Sequence, residues 1–199
     1  MNNPKYRVIL ASASPARLDL LSKIAGHTPE VMISDINEDI LPKELPRVYV
    51  ERVAVAKLSK ILNQIDSGYV VSADTAVVLG RSILPKAIND ELVKSCLEKI
   101  SGRRHRVYTS ICVAFKQENL QVVKKTCVVM SVVKFKCLTD KEIDWYVKSG
   151  EGINKAGGYS VQGLAQCFVS FLRGSVSGVM GLPLLELKNM LLSIGYKIT

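Results

Sequence analysis

Residues 8–21 read VILASASPARLDLL, and this stretch decides the fold class that the sequence predicts. Three leading apolar residues favour a buried strand, and the spacing of the leucines after Pro15 favours a helix. Proline suits the first helical position because its missing N–H would have no partner there. Ser14, directly before it, is a good N-cap residue. A strand that passes directly into a helix is typical of α/β domains.

The same junction also offers a site for an anion. The start of a helix carries unpaired N–H groups and the positive end of the helix dipole, which together attract phosphate. Hydroxyls are available here from Ser12 and Ser14, and Arg17 follows with a guanidinium that can hold phosphate through two hydrogen bonds. Helix capping alone remains the alternative interpretation of these serines.

Length and composition favour a globular chain. Its 199 residues are 48% hydrophobic and 23% charged, which is enough for one large domain or two small lobes with a sizeable core. The sequence has no apolar run long enough to span a membrane and no signal-peptide segment at its start. The five cysteines show no C-x-x-C spacing, which predicts reduced thiols and a cytoplasmic protein.

Basic side chains outnumber acidic ones by 27 to 18, so the formal net charge is +9. This excess favours anionic partners but does not distinguish nucleic acid, a membrane surface and a nucleotide. Few aromatic residues accompany the densest basic run, so the sequence predicts no stacking platform for single strands. This run is Arg103, Arg104, His105 and Arg106. It is interpreted either as a solvated turn or as a contact for phosphate.

Strands and helices alternate along the chain before two long neighbouring strands. Helices are predicted at residues 15–25, 46–64, 90–100, 139–148 and 183–192. The helix at 139–148 begins with a capping box of Thr139 and Glu142. A polar turn around Glu118 and Asn119 is predicted to join the last two strands as an antiparallel pair. The strands lie at residues 7–11, 30–33, 69–79, 105–115 and 120–135. This order predicts a mixed sheet with helices on its faces.

Two charged residues interrupt apolar patterns. Lys57 lies within the apolar face of the predicted helix 46–64, where it either extends to the edge of that face or meets an anion. Asp74 lies in the centre of the apolar strand 69–79, so it pairs, binds a metal or faces a cleft. A structural salt bridge between the two is one alternative. As a site residue in an apolar face, Lys57 predicts that Lys57→Met holds or raises stability, because the desolvated ammonium disappears, and that the variant weakens triphosphate binding.

Common catalytic motifs are incomplete or missing in the sequence. GRSILPKA at residues 80–87 has the glycine and lysine of a P-loop, but Pro85 and Ala87 replace its second glycine and its Mg²⁺-binding hydroxyl. Cations suit phosphates and carboxylates suit a divalent metal, so the remaining charged residues favour metal-assisted hydrolysis of a phosphoanhydride. Those residues are Arg17, Lys57, Lys86, Glu38 and Asp74.

Five stretches, in order, resemble the motifs of one family. They are LASASPARLDLL (10–21), VSADTAVV (71–78), SGRRHRVYT (101–109), INKAGGYSVQG (153–163) and GSVSGVMGLPL (174–184). Together they resemble the Maf family of nucleoside triphosphate pyrophosphatases. The resemblance implies a single domain over residues 1–199, with an elongated mixed α/β sheet flanked by helices, two lobes around a cleft, and a fold related to the inosine triphosphate pyrophosphatases. It also implies hydrolysis of a nucleoside triphosphate to the monophosphate and pyrophosphate with Mg²⁺ or Mn²⁺.

The resemblance further implies roles for individual residues. Asp74 matches the catalytic proton acceptor, and Glu38, with Asp74, matches the metal-binding carboxylates. Lys57 and Lys86 match the basic residues of the catalytic site.

Substrate contacts are implied in the same way. Ser12 and Arg17 match positions of the phosphate-binding loop, Thr75 matches a specificity position, and Gln162 matches a base-recognition position. The motifs around the last two resemble the branch that prefers dTTP and UTP. Ala16 stands where the family usually has an arginine, which bears on substrate preference.

Two other functions remain open at this point. Loss of the usual arginine also fits a nucleotide-binding regulator of cell division with weak or no turnover, and the net charge fits a basic RNA-binding protein. For the pyrophosphatase we expect a nucleoside triphosphate as substrate, no stable nucleic-acid partner and no membrane. Many members of the family form homodimers, so the resemblance also implies a homodimer.

Overall fold

The computed structural model describes residues 7–117 and 122–198. Its strands are β1 (Val8–Leu10), β2 (Glu30–Val31), β3 (Gly68–Leu79), β4 (Ser82–Ile83), β5 (Arg104–Lys116), β6 (Val123–Phe135) and β7 (Val169–Arg173). They form one sheet in the order β2-β1-β3-β5-β6-β7, and β4 pairs with β3. β1 is parallel to β2 and β3, whereas the pairs β3–β4 and β6–β7 are antiparallel. The prediction of a mixed α/β sheet is confirmed.

Helices connect most of these strands. In the described residues they are α1 (Pro15–Ala25), α2 (Pro46–Leu62), α3 (Asp90–Ile100), α4 (Asp140–Lys148), α5 (Val176–Val179) and α6 (Leu184–Ser193), and a 3₁₀ helix, Leu164–Phe168, precedes β7. The helices predicted at 15–25 and 90–100 have the observed bounds. Those predicted at 46–64, 139–148 and 183–192 differ from α2, α4 and α6 only at their ends, where chain geometry changes gradually.

Four short elements were not predicted. β4, β7, α5 and the 3₁₀ helix have only two, five, four and five residues, too few to show a periodic pattern. The predicted strand 120–135 corresponds to β6, which begins at Val123. The polar turn predicted at Glu118 and Asn119 lies outside the described residues.

The described residues divide into two compact units. Unit 1 consists of the described residues within Met1–Asp74, Thr109–Val128 and Gly181–Thr199. Unit 2 consists of the described residues within Thr75–Tyr108 and Val129–Met180. Unit 1 is thus assembled from three separate stretches of the chain. The single domain over residues 1–199, and its cleft, stay predictions.

Unit 1 has its core where α2 meets the sheet. The core residues are Ile9, Ala11, Ala54, Leu58, Ile61, Leu62, Ile65, Val70, Cys112 and Ala114. α2 buries the face that its spacing predicts, and Lys57 is buried within that face. α1 also begins as predicted, because Pro15 occupies its first turn and the Ser14 hydroxyl accepts a hydrogen bond from the Arg17 N–H at 3.4 Å.

Unit 2 has its own core, formed by α3, α4, the 3₁₀ helix and one face of the sheet. Its largest fully buried side chains include Phe135, Tyr146 and Phe168. The predicted capping box at the start of α4 is present, with Thr139 and Glu142 each accepting a backbone N–H of the other.

All five cysteines are free thiols, as the sequence predicts. In the part of the chain that the structure describes, every helix is too short or too polar to cross a lipid bilayer.

His105 is buried in the core of unit 2, with 1% of its surface exposed. The rings of Phe135 and Tyr159 each lie edge-on to the imidazole at a centroid distance of 5.4 Å. Its Nε2 lies 2.8 Å from the Tyr159 hydroxyl. Burial lowers the pKa of His105 to about 4, so the imidazole is neutral in the folded protein at neutral pH.

We expect His105 to make unit 2 sensitive to acid. An unfolded histidine has a pKa of about 6.5, so the unfolded chain takes up the proton first as the pH falls. The stability contribution is therefore complete above about pH 6.5, is lost towards pH 4, and has fallen by about 2 kcal/mol at pH 5. Urea unfolding at pH 7 and pH 5 measures this loss. His105→Gln cannot gain the charge and should lose less stability on acidification; an equal loss in both proteins would contradict the assignment.

Candidate active site

A buried ammonium joins two carboxylates in unit 1. The Nζ atom of Lys57, on α2, lies 2.8 Å from Asp74 Oδ1 on β3 and 2.9 Å from Glu38 Oε1. The side chains of Lys57 and Asp74 are each only 8% exposed, whereas that of Glu38 is 48% exposed. A charge removed from water needs a partner of opposite sign, so the two interruptions of apolar patterns in the sequence compensate one another.

Asp74 is the more buried of the two carboxylates. Burial raises the pKa of Asp74, while the positive charges of Lys57 and Arg17 act in the opposite direction. A carboxylate with a raised pKa holds a proton more firmly than an exposed aspartate does. Asp74 is therefore a buried carboxylate with the raised basicity that a proton acceptor requires.

Arg17 lies at the start of α1 and is held there by hydrogen bonds. Its Nε donates to the Gly181 carbonyl at 2.9 Å, and its Nη1 donates to the Ser12 hydroxyl at 3.1 Å. The Ser12 hydroxyl also accepts the Ser14 N–H at 3.3 Å. The two serines therefore shape the turn before α1 and hold the guanidinium, whether or not they also contact a ligand.

The four charged groups form one electrostatic cluster. Burial lowers the pKa of Arg17, and the carboxylates of Asp74 and Glu38 oppose that shift. With Lys57, the cluster holds two cations and two carboxylates. A polyphosphate brings several negative charges, which both carboxylates would repel unless a further cation lay between them.

A divalent cation suits this cluster. Mg²⁺ binds proteins through one or two carboxylates and completes its shell with phosphate oxygens and water. Glu38 and Asp74 both contact the Lys57 ammonium, so their carboxylates lie close to one another. Residues 7–117 and 122–198 hold no group of three or more His, Cys, Asp and Glu side chains that could bind a metal.

A second ion pair fixes the loop that carries Glu38. Arg52, on α2, donates from Nε to Glu44 Oε1 at 2.6 Å and from Nη2 to Glu44 Oε2 at 2.8 Å. The same Nη2 donates to the Asp39 carbonyl at 2.8 Å, directly after Glu38. Hydrogen bonding to Arg52 lowers the pKa of Glu44 to about 2. Sequence analysis missed this pair because two opposite charges eight residues apart are common on any surface.

Lys86 belongs to unit 2 and is exposed. Backbone hydrogen bonds join its segment to the glycine-rich loop that follows α4: the Ala87 N–H donates to the Lys155 carbonyl, and the Gly157 N–H donates to the Pro85 carbonyl, each at 3.0 Å. Gly157 has a φ of +64°, and a Cβ there would lie 2.8 Å from Val77 Cβ, so only glycine fits. The glycine-rich loop thereby fixes the backbone beside Lys86.

Gln162 lies farther along the same loop and is also exposed. Glu151 anchors the backbone that follows it, accepting the Leu164 N–H at 2.8 Å and the Tyr146 hydroxyl at 2.9 Å. Gly163 lies so close to this carboxylate that a Cβ would overlap it. No sequence pattern indicates this role, because Glu151 lies in no periodic element.

The structure thus brings six of the predicted site residues into one neighbourhood of unit 1. They are Ser12, Ser14, Arg17, Glu38, Lys57 and Asp74. Thr75 follows Asp74 in the chain, and Lys86 and Gln162 share one hydrogen-bonded loop system in unit 2. The chemical roles of these nine residues stay predictions.

Comparison with known proteins gives extensive matches. A protein named nucleoside triphosphate pyrophosphatase from Orientia tsutsugamushi (strain Boryong) is 47% identical over 189 residues, covering 95% of this chain and 92% of that protein. One of the same name from Rickettsia felis is 46% identical over 198 residues, covering 99% and 97%. Among solved structures, the chain is similar to a HAM1 protein from Coxiella burnetii, with a TM-score of 0.44 and 12% identity over 94% of this chain and 99% of that one.

The family described as Maf-like protein matches residues 7–194. This match spans both compact units and every predicted site residue. Together with the identity to relatives along nearly their whole length, it shows that the chain belongs to the family of Maf-like proteins.

Proposed function

We propose that the protein hydrolyses nucleoside triphosphates to the monophosphate and pyrophosphate. The observation that carries this proposal is the buried Lys57 ammonium between Asp74 and Glu38, in a chain whose relatives bear the name nucleoside triphosphate pyrophosphatase. Cations for phosphate, carboxylates for a metal and a basic carboxylate for water are the parts that this reaction needs.

Asp74 accepts the proton in the proposed reaction. The oxygen of a water molecule forms a bond to the α-phosphorus while the bond from that phosphorus to the bridging oxygen breaks, and pyrophosphate leaves with the bridging oxygen. Lys57 engages Oδ1 of Asp74, so the water proton passes to Oδ2. The raised pKa of Asp74 favours this transfer.

Lys57 and Arg17 offset negative charge as the bond to the leaving group breaks. Both are held by protein hydrogen bonds or ion pairs, so they need little reorganisation during the reaction. Glu38 and Asp74 would hold Mg²⁺ or Mn²⁺, and the bound ion would neutralise charge on the phosphate oxygens. Lys86 and the hydroxyls of Ser12 and Ser14 are proposed further contacts of the triphosphate.

The proposed preferred substrates are dTTP and UTP. The Gln162 amide can both donate and accept, which matches a ring carbonyl and the N3–H of thymine or uracil. Cytosine presents a ring acceptor and an amino donor instead. Thr75 is the proposed second specificity residue. Ala16 removes a cation from the start of α1, so we expect the preference to be present but relaxed.

The direct test incubates the purified protein with a panel of nucleoside triphosphates and Mg²⁺ or Mn²⁺, and detects pyrophosphate. Release of pyrophosphate together with the monophosphate supports the proposal. Nucleotide binding without product would instead support the non-catalytic regulator.

We propose a cytoplasmic location as well, which agrees with the five free thiols.

Asp74→Asn tests the proton acceptor. The amide keeps the size of the side chain but cannot take the proton, so we expect turnover to fall by about 10²–10⁴-fold. Folding should survive because Lys57 keeps Glu38 as a partner. Steady-state kinetics and a thermal melt measure the two effects. Near-normal turnover in a folded variant would remove Asp74 from the mechanism.

Lys57→Met tests the buried pair. Removal of a desolvated ammonium predicts unchanged or higher stability, whereas the pairing with Asp74 favours a loss, because the variant leaves the Asp74 carboxylate buried without its nearest cation. Removing one partner of a buried pair costs about 3–5 kcal/mol. Urea unfolding should show this loss, and the double variant Lys57→Met/Asp74→Asn should recover much of it. No loss in the single variant would mean that water already solvates Asp74.

Gln162→Ala tests base preference. Because Gln162 is exposed, a hydrogen bond from it to the base is worth about 0.5–1.5 kcal/mol, which corresponds to about twofold to tenfold in kcat/KM. We therefore expect the unmutated protein to cleave dTTP and UTP faster than CTP, and the variant to lose that ranking. Competing-substrate assays at low concentration measure the ratio directly. Equal ratios in the unmutated protein would exclude Gln162 from base choice while leaving the assignment of Asp74 intact.

A further inference from the structure

One face of the sheet in unit 2 carries exposed cations. Along β5 the side chains alternate, with His105 and Val107 buried in the core and Arg104 and Arg106 exposed on the opposite face. Residues of β6 follow the same alternation, since Val133 and Phe135 enter the core while Lys134 does not. The core of unit 2 therefore covers one face of these strands, and basic side chains occupy the other.

An aromatic ring lies among these cations. Phe171, on β7, is directly opposite Lys134 in the register of β6 and β7, and Arg173 is opposite Val132. The Arg104 guanidinium lies over the Phe171 ring, 5.4 Å from its centroid. Phe171 is 43% exposed, which is a large fraction for a phenylalanine held in a strand. We call this group the basic face: Arg104, Arg106, Lys134, Phe171 and Arg173.

The cations of the basic face have no anionic partners among the described residues. None of the salt bridges in residues 7–117 and 122–198 involves Arg104, Arg106, Lys134 or Arg173. By contrast Lys136, just beyond β6, pairs with Glu142 at 2.6 Å. Positive charges gathered on one side of a sheet repel each other, and an anionic partner would relieve that repulsion.

The exposed Phe171 ring distinguishes between the classes of anion that could bind the basic face. A polyanion without rings, or an anionic lipid surface, would use the positive charges but gain nothing specific from Phe171. Proteins that bind single strands combine cations along the phosphate backbone with an exposed aromatic side chain on which a base stacks. The basic face has both parts on three neighbouring strands, which hold them in fixed positions.

We propose that the basic face binds single-stranded nucleic acid: a base replaces the Arg104 guanidinium over the Phe171 ring and stacks there, and phosphates lie against the four cations. This proposal replaces the expectation of no stable nucleic-acid partner. The sequence predicted no stacking platform around Arg103–Arg106 because Phe171 reaches that run only through the pairing of β7 with β6.

Fluorescence anisotropy tests the proposal with the full chain and a fluorescein-labelled oligouridylate of about 12 nucleotides, a length within the range that one binding fold covers. The variants are Phe171→Ala and Arg173→Gln. Lys99→Gln is the matched control, because it removes the same charge from an exposed position on α3, whose buried residues pack in the core. Thermal melts check that each variant is folded, and Phe171→Leu, which keeps an apolar side chain without the ring, replaces Phe171→Ala if the alanine variant is unfolded.

The expected results differ between the variants. Phe171→Ala should weaken binding at least about fivefold, since stacking of one base is worth about 1–3 kcal/mol. Arg173→Gln should weaken binding and reduce the slope of log K against log salt by about 0.7. Lys99→Gln should change neither quantity.

Several outcomes would overturn the proposal. Absence of binding at low salt would do so directly. Equal losses in Arg173→Gln and Lys99→Gln would assign the binding to net charge alone. Unchanged affinity in Phe171→Ala, with polyglutamate competing as well as unlabelled oligouridylate, would point to a general polyanion contact. Displacement by excess UTP in EDTA would place the oligonucleotide in the substrate site instead.

Discussion

The ion pair between Lys57 and Asp74 is the constraint on which the interior of unit 1 depends. α2 can bury its apolar face against β3 only if the lysine in that face finds an anion. β3 in turn can keep a carboxylate in its apolar run only if a cation approaches it. Packing of the helix and formation of this ion pair are therefore one event. A chain that packs α2 correctly on β3 has already paired Lys57 with Asp74.

Positively charged side chains occur in two different environments in this molecule. Lys57 and Arg17 are enclosed and compensated, so their positions are fixed by protein contacts. The arginines of the basic face are exposed and Lys134 is half-buried, and no salt bridge among the described residues compensates these cations. A net charge of +9 describes both groups equally and distinguishes neither. What separates them is burial and the location of carboxylates, which are properties of the fold rather than of composition.

The sequence predicted the elements that show a periodic pattern and the charged residues that interrupt one. Long helices and strands showed their 3.6-residue and two-residue patterns, and Lys57 and Asp74 stood out because each broke one. The clamp of Arg52 on Glu44 and the anchor formed by Glu151 break no pattern, because such residues are ordinary on a surface. Their roles arise from contacts between loops and helices that residue spacing does not encode. Even for Lys57, the pattern indicated an unusual position in the helix but not whether the lysine raises or lowers stability. That sign depends on a partner in another element.

The three-part composition of unit 1 has a consequence for protein synthesis. Unit 2 has all of its residues once Met180 has been made. Unit 1 still lacks its last stretch at that point, including α6, which packs against α1, and the Gly181 carbonyl that holds Arg17. Its charged cluster is translated early but completed late. Until then Lys57 and Asp74 belong to a unit whose core is unfinished.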